Sequence, residues 1–138
     1  MMNKRMLMIA LLVVAGILPI SANAAEFNGS KPFICTIIEA YECEPNADCK
    51  RVTVQDIDCP RFLRVDVSKK IIVGTMTDQS TRDVEIQSSA HVEGNFILQG
   101  VQKDRAWSMV VSESTGMMTL TVTGQDAGFV FFGASYLP

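Results

Sequence analysis

The chain has 138 residues, 48% of them hydrophobic, and a formal net charge of −3 from 12 basic and 15 acidic side chains. That length fits one domain and leaves none for a second. Dispersed Lys and Arg in a mildly acidic chain argue against nucleic acid and against an anionic membrane surface, because both need clustered cations.

Residues 1–24 read as an export address. Lys4 and Arg5 precede an uncharged apolar run of 15 residues, Met6 to Ile20, and Ser21-Ala22-Asn23-Ala24 supplies a small-x-small cleavage pattern. This is the pattern of a secretory signal peptide cut after Ala24. As a membrane anchor the run is too short, since a span needs roughly 20 residues, and Gly16 and Pro19 interrupt it. The domain that remains is 25–138, periplasmic or secreted, with no stable membrane anchor. Losing Lys4 and Arg5 takes the formal charge from −3 to −5.

Cys35, Cys43, Cys49 and Cys59 are the 4 cysteines. In an oxidising compartment an even number reads as disulfides. Zinc would need C-x-x-C pairs or partner histidines, and His91 is the only one. Glu44 to Asp48 is a turn-rich loop with Cys43 and Cys49 symmetric about it, which predicts a Cys43–Cys49 bridge. Extending that hairpin sets Cys35 opposite Ile57, with Cys59 two residues on and on the same face, which predicts a second bridge, Cys35–Cys59. Without C-x-x-C, a redox enzyme is not indicated.

Glu26 to Pro32 reads as a flexible lead-in. Phe33–Glu42 and Lys50–Ile57 form the first hairpin. Pro60 then breaks the ladder, since it cannot donate a hydrogen bond. Phe62–Val67 and Lys70–Thr77 form a second hairpin about Ser68-Lys69. A polar loop leads to one strand over Arg82–Ala90. After a turn at Glu93-Gly94-Asn95, four apolar runs between Asn95 and Phe132 are separated by Lys103-Asp104, Ser114-Thr115-Gly116 and Gly124 to Gly128. Alternation is cleanest over Met118–Thr123. Connections this short leave no room for crossover helices, so neighbouring strands run antiparallel. The fold class is all-β, a meander of about eight or nine strands. A closed up-and-down barrel is favoured over a two-sheet sandwich, because no long return loop is present.

Trp107, Met109, Phe129 and Phe131 lie in runs that are apolar on both faces. One face would fill the core, with the other covered by the termini or first hairpin; alternatively one face lines an apolar cavity or meets a partner. Met109, Met117 and Met118 suit either reading. His91, just before a turn, is expected to be exposed. No G-x-S-x-G elbow surrounds a serine, so no catalytic residue is assigned. Asp66 is expected to pair with Lys69 or Arg64, and Asp58 with the loop backbone. No calcium loop or phosphate cradle is present, so no cofactor or metal is assigned. Glu39, Glu42, Glu44 and Asp48 concentrate negative charge on the first hairpin, a surface that could meet a basic partner.

The segments IIEAYEC, CKRV, PRFLRVDVSKKII, ILQGVQKDRAWSMVVSESTGMMTLTVTG and GFVFFGAS together resemble a group of small exported bacterial proteins. That resemblance covers most of the mature chain and implies a periplasmic all-β domain with no catalytic residue to carry over. It also implies a Cys in the final Gly-Ala-Ser segment of relatives, where this chain has Ala134 and Ser135, and a different pairing of Cys35 among them. A looser similarity, of size and architecture, is to periplasmic inhibitors of lysozyme or proteases. The expectation is a non-enzymatic binding module for an apolar small ligand or an envelope protein. The alternative is an inhibitor of a basic enzyme that acts through Glu42, Glu44 and Asp48.

Overall fold

The computed structural model describes residues 27–138, so the export address and its cleavage site lie outside the described residues. Among the described residues there are ten strands and no helix, hence none long and apolar enough to cross a membrane. The seam of the fold is β1 (Phe33–Cys43), which pairs from Ile34 to Cys43 with β10 (Gly128–Tyr136), making the first and last strands neighbours. The other edge of β1 is shared. Its first half pairs with β3 (Phe62–Asp66) and its second with β2 (Lys50–Val52). Between the halves a bulge after Ile37 pushes Ile38 outward, 62% exposed. An extra residue of this kind bends a strand and lets it change partners.

From β3 the sheet continues to β4 (Ile71–Thr75) and β5 (Thr81–Glu85). From β10 it continues through β9 (Met117–Thr123), β8 (Arg105–Ser112) and β7 (Asn95–Gln102) to β6 (Ser88–Val92). Every pairing is antiparallel, and the strands form one curled sheet, a half-barrel, not the two packed sheets of a sandwich. The meander from Asn95 onward is present with its three turns where the polar breaks stand.

Three expectations need correction. Arg82–Ala90 is not one strand. β5 pairs with β4 and β6 with β7, and between them Ile86 N–H donates to Lys70 C=O (2.9 Å) while Gln87 N–H donates to Gln99 C=O (3.0 Å). The switch needs no Gly or Pro, because each half keeps its backbone groups paired with a different neighbour.

The second disulfide is absent. Cys43 and Cys49 are bonded, and Cys35 and Cys59 are free. β2 stops at Val52 because Asp56 N–H donates to Thr53 Oγ1 (3.2 Å) and Thr53 N–H to Asp56 Oδ2 (3.4 Å), a turn that ends the ladder. The expected register therefore never reaches Cys35, which instead lies between Leu63 of β3 and Ser135 of β10, with its Sγ 2.9 Å from Ser135 Oγ. Ser135 is thus the register partner of Cys35. Cys59 sits in the turn, its N–H donating to Val54 C=O (2.8 Å). Burial raises both thiols from 9.0, Cys35 to about 11 against the opposing Ser135 hydrogen bond, and Cys59 to about 12.

The lead-in is not loose. Phe27 is buried, its N–H donates to Glu113 C=O (3.1 Å), and its ring meets Phe33 edge-on at 6.0 Å. Gly116 leaves room for that ring, since a Cβ there would come within 2.8 Å of Phe27 Cε2. At this end Phe33, Phe96, Val65, Leu98 and Val111 are fully buried. The tight turn after β3 is capped by Asp66, which accepts from Ser68 Oγ–H (2.7 Å) and Lys69 N–H (3.2 Å). These bonds, with the nearby Lys69 and Arg64 charges, hold its carboxyl below the usual range. Lys69 Nζ stands 4.0 Å from the same carboxylate, as the sequence suggested.

Candidate functional site

Successive side chains of a strand face opposite ways, so one row of each strand points into the curl. On β8 that row is Arg105, Trp107, Met109 and Val111; on β9 it is Val122, Leu120 and Met118; on β10 it is Phe129, Phe131 and Gly133. Register then stacks Trp107, Val122 and Phe129 in one tier, and Met109, Leu120 and Phe131 in the tier below. At the end carrying the Lys103-Asp104 and Gly124–Gly128 turns these tiers do not meet across the curl. They leave a cavity of about 810 Å³, with Leu63 and Ile72 from the facing strands also in its wall. Its size lies within the range of small-molecule pockets, about 300–1,000 Å³. The opposite end is the one packed shut by the phenylalanines. A smaller cleft of about 290 Å³ lies under the β1 bulge, between Ile37–Ala40 and Arg51–Gln55.

Trp107 is 7% exposed and lies across Gly100, its partner on β7. A Cβ at Gly100 would stand 2.6 Å from the indole Cζ2 and 2.8 Å from Glu85 C=O, so only glycine admits both the ring and the β5–β6 junction. The indole Nε1–H is buried and has no hydrogen-bond acceptor among the described residues. A buried donor left unpaired costs about 1–3 kcal/mol.

The rim is polar. Arg82 donates to the Asp58 carboxylate (2.5 Å) and to the Asp58 carbonyl (3.0 Å). Asp58 therefore pairs with Arg82 and not with the loop backbone, and its carboxylate raises the guanidinium pKa. Arg105 lies 5.3 Å over the Phe129 ring, while its nearest carboxylate, Asp126, is 3.9 Å away. Cys59 is in the cavity wall, but its raised pKa keeps it protonated at neutral pH.

Four candidates from the sequence, Trp107, Met109, Phe129 and Phe131, thus come together in one wall. Outward neighbours on these strands are not covered as the core-only reading required; Val110 and Phe132 are exposed. Glu44 and Asp48 project from the Cys43–Cys49 hairpin, with Glu42 half-buried at its base. Lys50 stands opposite Glu42 and Arg51 reaches Glu39 (3.4 Å), so the hairpin's negative charge is partly compensated. His91 is exposed, as expected, and is also paired with Glu113 and stacked on Phe96 at 4.6 Å, beside the packed end. Sequence reasoning did not find Gly100, Arg105, Leu63 and Ile72; the period-2 pattern shows that such residues share a face, but not that the faces enclose space.

The fold and site together define a class, a small all-β half-barrel, packed at one end and hollow at the other. Neither protein-family models, nor curated proteins, nor solved structures give a match to this chain.

Proposed function

We propose that this chain is a non-enzymatic binding module of the bacterial envelope, exported through a cleaved leader, that holds a small apolar ligand in the open end of its half-barrel. The observation that carries this reading is the cavity of about 810 Å³, walled by Trp107, Met109, Leu120 and Phe131, beside a fully packed opposite end. An apolar occupant of this open end would remove apolar wall from water and gain dispersion contacts with it. We further propose that the sheet closes as an up-and-down barrel, with β5 and β6 acting as the two halves of one strand; the hydrogen bonds of Ile86 and Gln87 support this. An inhibitor acting through Glu42, Glu44 and Asp48 has less support, given Lys50 and Arg51 on the facing strand. Catalysis at His91 has less still, since the cavity opens at the other end of β7.

Trp107 is the only tryptophan in the chain, so its emission reports on the cavity alone. Titration with 1-decanol, an uncharged apolar probe, is expected to shift that emission saturably. An unchanged spectrum up to the solubility limit of the probe would reject ligand binding here.

A further inference from the structure

The inward row of β8 is graded. Arg105 stands at the mouth, Trp107 at the waist, Met109 on the floor and Val111 in the packed core. Each step is about 7 Å along the strand, so a molecule lying against β8 meets a guanidinium and then only apolar side chains.

The first of these groups, Arg105, lacks a hydrogen-bonded carboxylate among the described residues. The Trp107 side chain lines the cavity, but its Nε1–H is fully buried and presents no donor to an occupant. Arg105 has its nearest carboxylate oxygen at 3.9 Å, beyond hydrogen-bond distance, and its guanidinium carbon lies 5.3 Å from the centre of the Phe129 ring. Arg82 is different, being fully engaged with Asp58. The remaining rim acids, Asp83 and Asp104, are exposed, where water and salt screen them, and Glu42 faces Lys50.

Arg105 is a cation with a planar fork of donors that suits two oxygens. We propose that the ligand is an amphipathic monocarboxylate. Its carboxylate accepts from Arg105, and its hydrocarbon body runs inward over Met109, Leu120 and Phe131. This rests on the apolar-cavity reading and adds the polarity and direction of the occupant. A cationic amphiphile would set its charge against Arg105. A neutral one would leave the guanidinium unused.

The test compares decanoate, methyl decanoate and decyltrimethylammonium, each below its aggregation threshold, by calorimetry and Trp107 emission. Decanoate is expected to bind about tenfold or more tighter than the ester, the worth of one charge-assisted hydrogen bond. Arg105→Gln is expected to bring decanoate down to the level of the ester. Arg64→Gln makes the same charge change at an exposed position of β3 and is expected to keep the preference. Circular dichroism confirms that both variants fold. Equal or better binding of the ester or the cation, or a preference that survives Arg105→Gln, overturns the carboxylate assignment and leaves the apolar cavity standing. No binding by any of the three overturns both.

Discussion

Replacing Trp107 by Phe tests whether the buried indole N–H is held at a cost to stability. The smaller ring gives up apolar contact worth about 1–2 kcal/mol by area and cavity considerations. One side of the ring already borders the cavity, so the loss lies toward the lower figure. Against this, removing an N–H that has no acceptor among the described residues recovers about 1–3 kcal/mol. The two nearly cancel, and Trp107→Phe is expected to unfold within about 1 kcal/mol of the parent. Urea denaturation followed by far-ultraviolet circular dichroism measures this, since the midpoint reports stability when the slope is unchanged. A loss of about 3 kcal/mol or more, the range for truncating a fully packed and satisfied aromatic, would refute the reasoning.

Gly133→Ala is expected to cost several kcal/mol or prevent folding, because its Cβ would strike the Thr36 carbonyl across the β1–β10 seam and stand 2.9 Å from Met118 Cε. Gly128→Ala, with nothing within 4 Å of the added carbon, is expected to change stability by about 0.5 kcal/mol or less; the same urea titration reads both. Thiol titration without reductant is expected to find two free thiols after denaturation and almost none reacting in the folded state; no thiols at all would mean that Cys35 and Cys59 are joined. Their raised values also set a pH limit. The folded chain keeps protons that the unfolded chain releases from about 9.0 upward. Stability is therefore full below that pH and falls as pH rises toward 11 and 12, as denaturation midpoints across the alkaline range would show.

Local pattern made much of this molecule legible in advance. The alternation of Met118 to Thr123, the Lys103-Asp104 and Ser114–Gly116 turns and the symmetric cysteines about Glu44–Asp48 each specify neighbours in the chain, and each stands as read. Features that depend on distant partners were not legible. Cys35 was placed by extending a hairpin, yet its neighbours come from β3 and from β10, the latter 100 residues away. The kink at Ile86–Gln87 carries no turn residue, because it arises from a change of partner strand. Phe27 looked like part of a loose lead-in, since nothing local to it shows that Gly116 leaves space for its ring. For the site, the doubly apolar strands gave Trp107, Met109, Phe129 and Phe131, whereas the choice between filled core and cavity depends on how far the sheet curls.

Calorimetric titration of the protein with 1-decanol at several temperatures tests most directly whether the open end is a binding cavity. The expected result is saturable one-to-one binding whose enthalpy grows more favourable on warming, the negative heat-capacity change of buried apolar surface. Heats indistinguishable from dilution at every temperature, or binding that never saturates, would contradict it.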